Sequence, residues 1–303
     1  RDGWIDIFLA NSGPGGVSSA LYQNRGGNGF QNVTSEAGIN FKGNITQCLW
    51  GYYNNDGFPD LYLVNYGANR LYRNDQDGTF TDVTEETGAG NSEFGIGGTF
   101  VDYDHDGDLD IFITNFAEVP KSGKLVGARF PEDFGGVGNI LYRNNGDETF
   151  TDVTEESNLS AAQAETVSAL SSDFDNSRDV DFLLVNLQVS NLLMSNLRDG
   201  SFVSIGDSGL QTRRRGMGIA VGDLNRDELV DLILPSIDPK KSAILFNRGN
   251  NVYEAQEIAP LIKGKSPGFL NSQLFDYDND GDLDILLSSA DILAEPSLDR
   301  ERN

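Results

Sequence analysis

Short apolar runs recur along the chain: Ile7-Phe8-Leu9, Leu61-Tyr62-Leu63-Val64, Ile111-Phe112-Ile113, Phe182-Leu183-Leu184-Val185, Leu232-Ile233-Leu234 and Ile285-Leu286-Leu287. Runs this short and this rich in β-formers predict strands buried on both faces. A second unit follows in which apolar and polar residues alternate: Leu21-Tyr22-Gln23-Asn24, Leu71-Tyr72-Arg73-Asn74, Leu141-Tyr142-Arg143-Asn144, Leu192-Leu193-Met194-Ser195-Asn196 and Ile244-Leu245-Phe246-Asn247. Alternation predicts strands with one face exposed. A turn of hairpin chemistry, such as Asn28-Gly29 or Asp77-Gly78, leads to a third unit, as in Phe80-Thr81-Asp82-Val83-Thr84 and Phe150-Thr151-Asp152-Val153-Thr154. A fourth strand precedes each apolar run, as in Gly97-Gly98-Thr99-Phe100-Val101. Four strands per repeat of about 50 residues is the sequence signature of an all-β fold, a β-propeller of four-stranded blades. No segment of useful length has a helical period.

The loop before each apolar run carries the candidate chemistry. In Asp102-Tyr103-Asp104-His105-Asp106-Gly107-Asp108-Leu109-Asp110, carboxylates fall at positions 1, 3, 5 and 9 and glycine at 6. Like-charge repulsion disfavours such crowding unless a cation sits among the carboxylates. A hard ion taking about six to eight oxygens, calcium above all, would relieve it. The loop returns with ligands Asp276, Asp278, Asp280 and Asp284 around Gly281, followed in quality by Asp223, Asn225, Asp227 and Asp231. Two further copies offer Asp173, Asp175 and Asp181, and Asn54, Asp56 and Asp60. Gly107 and Gly281 permit a positive-φ turn; Arg178 and Glu228 stand at that place in two degenerate copies, at roughly 1 kcal/mol each. The first copy, Arg1-Asp2-Gly3-Trp4-Ile5-Asp6, begins at position 4 and is expected to be weak or empty. An EF-hand is excluded, because its bidentate Glu at position 12 is replaced by Ile113 or Leu287 within a strand.

Charge and composition narrow the function. A net charge of −25 over 303 residues argues against nucleic-acid binding by phosphate neutralisation. No apolar run reaches the roughly 18 residues of a membrane span, so no membrane insertion is expected. The single Cys, Cys48, excludes an intrachain disulfide and reads as core. The single His, His105, lies inside a loop, so triads needing a histidine base have almost no candidates, and the carboxylate spacing is that of metal loops rather than of a glycosidase pair. No catalytic residue is assigned.

The sequence Asp-x-Asp-x-Asp-Gly-x-x-Asp, an apolar strand, then Leu-Tyr-Arg-Asn and Phe-Thr-Asp-Val-Thr-Glu-Glu, resembles the FG-GAP or VCBS repeat of integrin α-chain-like propellers. The fuller stretch from Asn69 to Thr84 is similar to proteins related to cartilage acidic protein. The resemblance implies a propeller, usually seven-bladed, with calcium loops in β-hairpins, and an extracellular, cell-surface or periplasmic location. It also implies a ligand from the backbone carbonyl at position 7, Asp108 or Asp282. The expected function is a calcium-stabilised adhesion or protein-interaction scaffold with an unknown protein or glycan ligand. The alternatives are a lectin-type propeller or an accessory domain of a polysaccharide-degrading enzyme. Trp4 and Trp50, the aromatic platforms a lectin would use, read as packing. Residues 1–303 are expected to form a single propeller domain truncated at both ends, six blades being wholly or partly present, with an insertion loop at 115–138 bearing Phe116, Phe130 and Phe134.

Overall fold

The apolar runs are the second strands of antiparallel sheets. The structure, a computed structural model, describes residues 3–13, 15, 17–118, 135–187, 189–206, 208–210, 218–236, 238–258, 260 and 268–289. They fall into two compact units, Arg1–Ser171 with Asn196–Val203, and Ser172–Ser195 with Ser204–Asn303. In the first unit Ile45–Gly51, Asp60–Asn65, Arg70–Asn74 and Phe80–Asp82 form one four-stranded sheet in chain order, and Phe94–Val101, Asp110–Ala117, Ile140–Asn144 and Phe150–Asp152 form the next. The registers repeat: Tyr62 lies opposite Leu71 and Tyr72 opposite Asp82, as Phe112 lies opposite Leu141 and Tyr142 opposite Asp152. Ahead of them, Ile7–Leu9, Ala20–Asn24 and Phe30–Asn32 make a three-stranded sheet.

In the second unit Ala220–Gly222, Asp231–Leu234, Ala243–Asn247 and Tyr253–Glu257 form a four-stranded sheet, and Phe269–Phe275 pairs with Asp284–Ser289. The strand Asp181–Asn186 pairs with Leu192–Asn196 through Phe182–Met194 and Leu183–Leu193. The chain is thus all-β, built from successive antiparallel sheets of propeller-blade type. Among the described residues no helix is long and apolar enough to cross a membrane.

The central strands lack polar alternation because both of their faces meet a core. Leu61 and Leu63 pack with Leu21, Ile39 and Ile45, while Tyr62 and Val64 pack with Ile111, Ile113 and Tyr142 on the other side. Each such side chain stabilises the sheet by about 1.5–3 kcal/mol on burial. The third strands are more buried than their alternation predicts. Leu71, Tyr72, Leu141 and Tyr142 are all buried, since neighbouring repeats cover both sides. The Thr that recurs just after the outer strand ties the chain back to the third strand. Thr34, Thr84 and Thr154 each accept, on the hydroxyl oxygen, the backbone N–H of Leu21, Leu71 or Leu141 at 2.8–2.9 Å.

The insertion starts later than expected. Asn115, Phe116 and Ala117 continue the strand Asp110–Ala117, and Phe116 is buried edge-on to Phe94, with centroids 5.6 Å apart. Phe130 and Phe134 lie outside the described residues.

Candidate metal centre

Two backbone kinks shape the second to sixth loops. Position 6 has positive φ in Gly57 (+79°), Gly107 (+93°) and Gly281 (+88°), and also in Arg178 (+71°) and Glu228 (+67°). Position 4 does the same in Asn55, His105, Asn176, Arg226 and Asn279, where Asn and His are among the side chains that tolerate this region best. The kinks turn successive N–H groups inward onto the carboxylates. Asp102 accepts the Gly107 N–H at 3.2 Å. Asp173 accepts those of Ser177 and Arg178, Asp223 those of Asp227 and Glu228, and Asp276 those of Asp280 and Gly281, all at 2.9–3.1 Å. Position 5 then caps position 7: Asp56, Asp106, Asp227 and Asp280 accept the N–H groups of Phe58, Asp108, Leu229 and Asp282.

Position 9 joins the loop to the sheet. Asp60, Asp110 and Asp231 are fully buried. One carboxylate oxygen of each accepts the N–H of the Asn that ends the third strand, Asn74, Asn144 or Asn247, at 2.8–2.9 Å. The other oxygen accepts the position 2 N–H from Tyr103 in Asp110, from Leu224 in Asp231 and from Tyr277 in Asp284.

Three of the predicted ligand sets converge. The carboxylates at positions 1, 3 and 9 come within 4.8 Å of one another in Asp102, Asp104 and Asp110, in Asp173, Asp175 and Asp181, and in Asp276, Asp278 and Asp284. The fifth loop presents Asp223, Asn225 and Asp231 in the same backbone frame, but there the Asn225 amide donates to Asp227 at 2.9 Å. In the second loop Asn54 likewise donates to Asp56 at 3.3 Å, and Gln76 adds a bond to Asp56 at 3.1 Å. At position 7, Asp108 accepts the Asn55 amide at 2.6 Å and Asp282 pairs with Arg226, so both side chains are engaged by the preceding loop.

The electrostatics differ from loop to loop. Burial pushes the Asp110 carboxyl up to about 7, and Asp104 and Asp106 push the same way against the N–H groups of Asn144 and Tyr103. Burial likewise takes Asp60 to about 7. Burial, then the charge of Asp106, raises Asp104. Burial acts upward on Asp175 as well, but hydrogen bonds from Ser177, Asn251 and Ser195 outweigh it and hold that carboxyl below the usual range. The third loop therefore has an unrelieved carboxylate cluster, and the fourth is partly relieved by its own donors. The third loop also contains an orphaned acceptor: Asp102 Oδ1 is buried without a hydrogen-bond partner. An all-oxygen donor set with a buried free carboxylate oxygen fits a hard divalent cation such as calcium.

The Asn that closes the third strand is a residue whose role the sequence did not reveal. Its Oδ1 accepts the N–H two residues on, in Asn24, Asn74, Asn144, Asn196 and Asn247. Its amide donates to the position 8 carbonyl of its own loop, Pro59, Leu109 or Val230. It also donates to the position 2 carbonyl of the loop before: Asn144 to Tyr53 at 2.7 Å, Asn196 to Tyr103 at 2.9 Å and Asn247 to Phe174 at 3.1 Å. Its recurrence at the end of every Leu-Tyr-Arg-Asn unit was the available signal. Trp4 and Trp50 are corrected in the other direction. They are 57% and 41% exposed and line one cavity, Trp50 standing edge-on to Phe8 and Phe80.

Residues 1–63, 52–113 and 173–234 each match the FG-GAP-like repeat, together more than half of the chain. Cartilage acidic protein 1 of Xenopus tropicalis is 25% identical over 253 residues, covering 77% of this chain and 36% of its own length. The chain thus spans little more than a third of that relative. Among solved structures, an Agrocybe aegerita lectin described as recognising non-reducing terminal N-acetylglucosamine aligns over 93% of this chain and 83% of its own, at 14% identity and a TM-score of 0.38. A V. cholerae biofilm matrix protein aligns over 88% and 40%, at 11% identity and 0.45. A rhamnogalacturonan lyase aligns over 92% and 57%, at 12% and 0.43.

Proposed function

The chain belongs to the FG-GAP-like repeat family, and on that premise we propose that it is a calcium-binding, extracellular β-propeller protein acting as a scaffold for adhesion or protein interaction. The metal is structural and the protein is not an enzyme. The observation that supports this reading best is the convergence of positions 1, 3 and 9 in three separate loops. Asp102, Asp104 and Asp110 would hold one ion, Asp276, Asp278 and Asp284 a second, and Asp173, Asp175 and Asp181 a weaker third. Calcium supplies positive charge where the fold has gathered carboxylates, and so pins each loop to its sheet. Chelation with EDTA is expected to lower the Tm and added calcium to restore it. A Tm unchanged by EDTA would remove the metal from this reading.

A carbohydrate-binding role is the second reading, favoured by the exposure of Trp4 and Trp50 on one cleft. A panel of saccharides that leaves tryptophan emission unchanged would eliminate it.

A further inference from the structure

The third and sixth loops carry the same acidic residues, yet each meets a different side chain from the loop before it. Both have Asp at position 7, Asp108 and Asp282, where the second and fifth loops have Phe58 and Leu229. Neither carboxylate belongs to the converging sets, which are drawn from positions 1, 3 and 9. Both instead meet position 4 of the preceding loop. Asn55 donates its amide to the Asp108 carboxylate at 2.6 Å and to the Gly107 carbonyl at 3.5 Å. Arg226 donates to the Gly281 carbonyl at 2.7 Å and pairs with the Asp282 carboxylate. Thus the position 6 carbonyl and the position 7 carboxylate are gripped together in two separate pairs of loops.

The grip has a backbone origin. Position 4 is left-handed in both donor loops, with φ +55° at Asn55 and +61° at Arg226. The second loop keeps this kink although Tyr52 stands at position 1, where the third and sixth loops have a carboxylate. On its other side Asp108 lies against the hairpin of its own repeat, where a Cβ on Gly146 would come within 3.0 Å of the carboxylate. Holding the carbonyl of position 6 and the side chain of position 7 restrains the peptide between them. The next carbonyl along, at position 7, is the backbone ligand that the repeat resemblance implies. Groups that orient a ligand in this way act on metal affinity without touching the metal. The two grips differ in charge. Asn55 leaves the charge of Asp108 in place, whereas Arg226 offsets that of Asp282, and a guanidinium at the rim of a loop opposes the entry of a second cation.

On the calcium reading of these two loops, we propose that the residue at position 4 of one loop sets the calcium affinity of the next. Asn55 is a positioning residue for the third-loop ion, and Arg226 for the sixth-loop ion. The side chain acts through its hydrogen bonds to positions 6 and 7, and its charge tunes the result.

A calorimetric calcium titration of the whole chain tests this. Asp104→Ala identifies the third-loop ion and Asp278→Ala the sixth-loop ion. Asn55→Gly keeps a backbone that accepts positive φ and removes the amide. It is expected to weaken the third-loop ion about tenfold and to leave the sixth-loop ion unchanged. Arg226→Asn keeps a donor and removes the charge. It is expected to tighten the sixth-loop ion about fivefold at low ionic strength, with the gain fading as salt is added. A residue that merely stabilised the fold would lower the Tm in EDTA without separating the two ions or responding to salt. If calcium binds but Asn55→Gly leaves the third-loop ion as tight as before, or weakens both ions equally, the proposal falls and the calcium reading stands. A sixth-loop ion unmoved by Arg226→Asn at low salt would overturn it likewise. A parent chain that binds calcium in neither loop would remove both the proposal and the reading beneath it.

Discussion

Asp110 illustrates how a single carboxylate is pulled two ways. It is buried and hydrogen-bonded on both oxygens, yet burial takes its carboxyl to about 7; burial takes Asp60, which accepts the Asn74 N–H on one oxygen, to about 7 as well. An unfolded aspartate titrates near 3.9, so between about 4 and 7 the folded, metal-free chain binds more protons than the unfolded chain. These two groups therefore stabilise the protonated fold at low pH, and that contribution falls as pH rises through the window. In EDTA, the loss of urea stability from pH 5 to pH 7.5 should be smaller in Asp110→Asn than in the parent chain. Calcium favours the ionised form, so its stabilising effect should grow over the same range. The Asn staples act at the same level. Asn144→Ala leaves the Tyr53 and Leu109 carbonyls without this donor and should cost about 1–3 kcal/mol, measured as a lower urea midpoint. Asn144→Asp should cost at least as much, since it places an acceptor against two acceptors.

Within the elements, the inner strand comes close against the next repeat. A Cβ on Gly51 would stand 2.5 Å from the Phe100 ring, so the strand has no room there for a side chain. Gly51→Ala is expected to destabilise by about 1–3 kcal/mol through displacement of that ring, with a matching drop in Tm. The strands themselves could be read from the sequence, because apolar runs such as Leu61 to Val64 have no helical alternative at that length. The gathering of carboxylates at positions 1, 3 and 9 in three of the loops could be read as well, since those positions recur at fixed spacing in the acidic repeats. Three things could not. Tyr72 and Tyr142 are covered by a neighbouring repeat, which local alternation does not encode. The left-handed residues at position 4 include Arg226 and His105, whose identities do not announce that conformation. Trp50 flanks a core strand yet faces an open cleft, because exposure depends on what the adjacent repeat places opposite it.

At the level of the whole molecule, 47 acidic residues against 22 basic ones leave a net charge of −25 that no ion pair within the chain can remove. Among the described residues the ion pairs are few and surface-exposed, such as Arg248 with Glu254, and pairs of this kind contribute little. Self-repulsion should therefore weaken the metal-free chain. Raising sodium chloride from low ionic strength to about 0.1 M, where the screening length is about 10 Å, should raise the Tm in EDTA. The same change should have less effect in calcium, whose binding on the proposed reading neutralises the loops. The Asn staple has a different kind of consequence. Each repeat brings one amide for the loop behind it and one carbonyl for the repeat ahead, as Asn144 with Tyr53 and Asn196 with Tyr103 show. A duplication or deletion of one full period of about 50 residues, taken in register, leaves every junction with both halves. The array can lengthen or shorten by whole periods without a new interface, and loops such as the fourth can lose acidic positions because the staple runs only through amide and carbonyl groups.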